Sequence, residues 1–138
     1  MKLSLAESGA VALEDAADEL NAASDSHEFL SALDFNHRLW LALTEIARDQ
    51  GWTWPDRRQA DFVVNITCRA GRGVRDDDVE ALISINRELS RTLAAGRDLD
   101  GIRRRVVLAW RERGSGYGIP LDAWLLAEMR RKAHIHVH

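Results

Sequence analysis

The chain closes on the run HIHVH. In an extended conformation His134, His136 and His138 fall on one side, and three neutral imidazoles are good ligands for zinc or nickel. The run is terminal and has no nameable carboxylate to orient its rings, so no metal and no other cofactor is expected. His27 and His37 lie ten residues apart on one expected helix, away from the spacing of three or four that sets side chains next to each other. Cys68 is the only cysteine. That excludes an intrachain disulfide and permits a reducing compartment. With no histidine or helix start beside it, Cys68 reads as a buried structural thiol rather than a nucleophile. Asp76, Asp77 and Asp78 form an acidic run that a helix cap and a dipole-matched first turn explain. The glycine-rich GSGYG lacks both a preceding strand and the lysine of a phosphate loop. No enzyme is expected from this inventory.

Two asparagines raise a different possibility. Asn36 sits in FNHRLWLAL on a helical face that otherwise reads Phe29, Leu33, Trp40, Leu43 and Ala47. Asn86 sits likewise among Val79, Leu82, Ile83, Leu89 and Leu93. A buried amide that finds no partner costs about 1–3 kcal/mol. One reading has each carboxamide bonded inside the core, fixing packing register. The other has the face open as an apolar groove, with its amides offered to a partner.

These residues need helices to position them, and the chain supplies the signals. Residues 3–22 form an Ala-rich segment with a weak apolar stripe. Asp25 and Glu28 have capping-box spacing before a helix expected over 26–50, which Gly51 ends. WTWP makes a turn, with Pro55 suited to the first position of the next helix. Val63, Val64, Ile66 and Thr67 leave a short strand as an alternative there. Residues 77–95 give the clearest helical periodicity. After Gly96 come LDGIRRRVVLAWRER, a GSGYGIP connection and a last helix. The fold class expected is all-α: a bundle of about four core helices over residues 1–96, extended by one or two helices over 97–138.

Length and composition fit one soluble globular domain. Net charge is −3 overall but uneven. Residues 1–34 carry eight acids against Lys2, a net −7, whereas residues 97–138 carry nine Lys or Arg against five acids, a net +4. Glu7 interrupts any apolar run after Lys2, so no signal peptide is expected, and no stretch reaches the length of a membrane span. Arg103, Arg104, Arg105, Arg111 and Arg113 cluster around Trp110. They support RNA or DNA binding through residues 101–113 as an alternative function.

The order of three short motifs resembles the FlaF family of flagellar biosynthesis regulators. They are N-x-R-L-W at Asn36, Arg38, Leu39 and Trp40; P-x-x-R-x-A at Pro55, Arg58 and Ala60; and L-I-x-I-N-R at Leu82, Ile83, Ile85, Asn86 and Arg87, with Leu93 following. The resemblance spans roughly residues 27–96. It departs from the family at Trp54, where leucine usually precedes the proline, at the two glycines of RAGRGVRDDD, and in the tail after Gly96. The resemblance implies an all-helical cytoplasmic protein, a flagellin-binding chaperone or regulator that assists flagellin synthesis and secretion. Flagellin termini are amphipathic helices that stay disordered before assembly, and an apolar groove could cover them. The groove residues implied are Asn36, Leu39, Trp40, Leu82, Asn86 and Arg87.

Overall fold

The computed structural model describes residues 3–114 and 117–135. Among the described residues six helices follow one another: α1 (Leu5–Ala22), α2 (Ser26–Gln50), α3 (Arg57–Thr67), α4 (Asp76–Ala94), α5 (Leu99–Arg113) and α6 (Leu121–Ile135). The described residues contain no strand. The β-branched segment 63–67 is therefore helical: Asp56 caps it by accepting from the Gln59 N–H, and Val63, Ile66 and Thr67 are buried in the bundle. Packing overrides the strand preference of the segment. Because Asp56 is the cap, Pro55 stands just before the helix rather than at its first position, and the Trp54–Pro55 bond is cis.

Local signals account for the other helix ends. Ser4 and Glu7 form a reciprocal capping box at α1 that the sequence reading passed over. At α2, Asp25 accepts from the Glu28 N–H as expected, but the Glu28 carboxylate turns to Ser24 instead of completing the box. Gly51 closes α2 at φ +69°, a conformation open to glycine without a Cβ penalty. At α4, the Asp78 carboxylate accepts from the Arg75 N–H, and all three aspartates lie in the first turn.

α1 is the centre of the molecule. It packs against α4 along most of its length and also touches α2, α5 and α6. Residues 7–13 are buried without interruption, which small side chains (Ser8, Gly9, Ala10, Ala12) make possible at close helix approach. α2 lays Leu33, Phe35, Leu39, Trp40 and Leu43 into the same core, and α4 adds Leu82, Leu89 and Leu93. The segment after Gly96 joins this core as well. Ile102 and Val106 of α5 and Trp124, Leu125 and Met129 of α6 are buried within it. The compositional change near Gly96 is thus not a break in packing.

Candidate functional site

The two asparagines meet. Trp40 donates its indole N–H to Asn86 Oδ1 at 2.8 Å. Asn86 Nδ2 donates to Asn36 Oδ1 at 2.5 Å. Asn36 Nδ2 in turn donates to the Ala32 carbonyl at 2.9 Å, with the Ala16 carbonyl at 3.5 Å. A hydrogen-bonded relay therefore runs from α2 to α4, back to α2 and on to α1. All three side chains have zero exposure. Helical spacing explains the geometry: Asn36 and Trp40 are one turn apart on α2, so Asn86 can bridge them from the facing helix. Of the two readings of the amides, the structure selects the internally bonded one.

The expected groove is filled. Leu39 and Leu82 are also fully buried, and α1 lies along the α2–α4 seam. Asn36, Leu39, Trp40, Leu82 and Asn86 are brought together, but inside the closed bundle. Arg87 stands apart at the edge of the seam. Its guanidinium bonds Glu14 and lies 3.1 Å from Asp18, tying α4 to α1. Ser90, which the sequence reading missed, adds a buried bond to the Ala10 carbonyl at 2.6 Å. Its signal was available, since Ser90 follows Leu82, Asn86 and Leu89 at helical spacing on the buried face.

Charge asymmetry along the sequence turns into attraction across the fold. Arg105 and Arg97 hold Glu7 at 2.6 and 3.1 Å, and Arg103 holds Asp15 at 2.8 Å. Burial alone would raise the Glu7 carboxyl. Bonds from the Ser4 N–H and the two guanidiniums outweigh it and bring the pKa down to about 2. The other end of α1 behaves oppositely. Burial raises Asp15 to about 6 despite Arg103. Burial and a hydrogen bond with Asp122 of α6 raise Glu19 to about 7. Arg104 lies 3.9 Å from Asp98, and Arg113 lies 3.9 Å from Glu128 and over the Trp124 ring at 5.6 Å.

The remaining sequence candidates fall elsewhere. Cys68 is exposed, contrary to the buried thiol expected, because it caps α3 at its solvent end; its Sγ lies 3.2 Å from the Asn65 carbonyl. His37 Nδ1 lies 2.9 Å from Thr67 Oγ1, a tie between α2 and α3. His136 and His138 lie outside the described residues, as does the His134 side chain. Among the described residues no cluster of His, Cys, Asp or Glu has the make-up of a metal site. No described helix is long and apolar enough to cross a membrane.

One open cleft lies where α2 turns into α3. About 500 Å³ in volume, it is lined by Thr44, Ala47 and Arg48 on one wall, Trp52 and Pro55 in the turn, and Arg57, Ala60 and Asp61 on the other wall. Trp52 and Trp54 pack on each other with centroids 4.7 Å apart and stay partly exposed.

The family described as flagellar protein FlaF matches residues 4–93. The match takes in α1, beyond the start of the motif resemblance, and stops at the end of α4. No curated protein and no solved structure matches the chain.

Proposed function

The chain belongs to the FlaF family of flagellar proteins, and from that premise we propose that it acts in the cytoplasm as a flagellin-binding regulator of flagellin production, without catalysis and without a cofactor. The observation that carries this reading is the family match, which covers α1 to α4. An all-helical surface suits a partner whose own ends are amphipathic helices awaiting assembly. The six residues implied as the binding groove take a more specific role here. With α1 in place, Asn36, Leu39, Trp40, Leu82 and Asn86 hold the bundle in shape. A flagellin helix reaches them only by taking the place of α1 along the α2–α4 seam, and the Arg87 pairs with Glu14 and Asp18 close that seam.

The nucleic-acid alternative loses ground to the ion pairs. Arg103 and Arg105 already face carboxylates of α1 at 2.8 and 2.6 Å, so two of the five arginines of segment 101–113 are taken up within the fold. Affinity capture of the full-length protein from flagellated cells at high salt tests the reading. Flagellin co-purifying in near-stoichiometric amount is the expected result. Capture of nucleic acid that disappears with salt, and no flagellin, overturns it.

A further inference from the structure

The α2–α3 corner brings two arginines and a half-buried tryptophan to one cleft. Most arginines near the core are engaged: Arg38, Arg87, Arg97, Arg103, Arg105, Arg113 and Arg131 all have carboxylate partners. Arg48 and Arg57, one on each wall of the cleft, have no ion-pair partner among the described residues. Ala47 and Ala60 are buried, and the half-buried Trp52 ring closes one end against Pro55. Asp61 is the only carboxylate in the lining, so the cleft itself carries a net positive charge. Tryptophan and arginine are the residue types that concentrate binding energy at protein interfaces.

Volume and charge together select the occupant. An α-helix is about 10 Å across with its side chains, and a cleft of about 500 Å³ has no room for several turns of one. It has room for the last two or three residues of a chain. Two guanidiniums from opposite walls suit one carboxylate, which each can meet with paired N–H donors. We propose that the α2–α3 corner binds the C-terminal end of a partner protein, its free carboxylate between Arg48 and Arg57 and an apolar last side chain against Trp52, Ala47 and Ala60. The site shares with the flagellin reading only the premise that this protein works by binding another protein.

Short peptides test the corner directly. The probes are acetyl-Ala-Ala-Leu-Leu with a free carboxylate, the same peptide as its C-terminal amide, and an amide with an internal aspartate in place of the second alanine. Binding to the full-length protein is followed through the Trp52 indole N–H resonance, assigned with Trp52→Phe. The free acid is expected to shift that resonance saturably. Amidation, Arg48→Gln and Arg57→Gln are each expected to weaken binding by about tenfold or more, the worth of one charge-assisted bond. Both arginines are exposed, so the variants keep the fold, which circular dichroism checks. Equal binding of the amide, equal or tighter binding of the aspartate peptide, indifference to both arginine variants, or no saturable shift each overturn the proposal. Flagellin capture that survives Arg48→Gln and Arg57→Gln, with no peptide binding, sinks the corner and leaves the flagellin reading intact. Peptide binding without flagellin capture does the reverse.

Discussion

Asn86 accepts from one partner and donates to another, so its removal strands two groups at once. In Asn86→Leu the Trp40 indole N–H and the Asn36 carbonyl oxygen remain buried with nothing to bond. At about 1–3 kcal/mol for each orphaned group, the variant should lose about 2–6 kcal/mol in urea denaturation. Adding Asn36→Leu should cost less than the sum of the single losses, because the second substitution removes an acceptor already orphaned. Additive losses would show that the relay does not act as a unit. Trp40→Ala should cost about 3–5 kcal/mol, as a fully buried indole leaves both a cavity and an unpaired carboxamide. Two glycines make a contrasting pair. A Cβ on Gly114 would lie 2.5 Å from Trp124 Cδ1 and 2.8 Å from Trp110 Cδ1, both atoms of rigid rings. On Gly9 it would meet the Leu93 methyl Cδ1 at 2.9 Å, the free end of a rotatable side chain. Gly114→Ala should therefore destabilise by about 1–3 kcal/mol. Gly9→Ala should be close to neutral, because the crowding is offset by a gain of up to about 1 kcal/mol in helix propensity. Thermal melts of the two variants make the comparison.

At the scale of the helix, α1 shows why some elements were legible and others not. The faces of α2 and α4 could be read because one side of each meets solvent, which leaves a periodic contrast between apolar and polar residues. α1 is enclosed by four helices, so its buried residues run nearly all round. Its Ala and Gly positions carry little apolar weight in a periodicity argument, and its acids looked solvated when they were the partners of arginines about ninety residues away. Pairing at that separation leaves no local trace. The same helix sets the response to pH. Glu19 faces Asp122 of α6, Asp15 on its own helix and Arg38 of α2, and titrates at about 7. The folded protein keeps that proton in a range where the unfolded chain has released it, so stability falls as pH rises from about 4.5 to about 7. Asp15, raised to about 6, acts in the same direction. Glu7, held at about 2, acts oppositely: its contribution is complete above about pH 4.5 and fades as pH falls toward 2. The melting temperature should therefore peak at about pH 4, and Glu19→Gln should flatten the decline on the neutral side. A melting temperature that climbs steadily from pH 5 to pH 8 would refute this assignment.

For the molecule as a whole, the six helices share one core, although the chain reads as two compositions. The change at Gly96 is real in the sequence: after it arginine multiplies, and the family match has already ended at residue 93. What composition cannot convey is the destination of the apolar residues that follow. Leu125 and Met129 are fully buried, and the carbon nearest a Cβ placed on Gly9 after the leucines is Met129 Cε at 3.7 Å. The Lys132 ammonium donates to the Leu3 carbonyl at 2.7 Å, so α6 also secures the start of α1. A hairpin bound in this way cannot unfold alone without exposing one side of the central helix. Met129→Ala and Leu125→Ala should each lower the stability of the whole protein by about 2–5 kcal/mol. Denaturation should remain a single transition, with the Trp40 environment and total helicity lost together. In hydrogen exchange, amides of α1 and α4 should lose protection by the same free energy as those of α6, since all would exchange through one global opening. Two transitions, with α2 and α4 protected after α6 has melted, would instead mean that the last forty residues are an appendage whose removal the core tolerates.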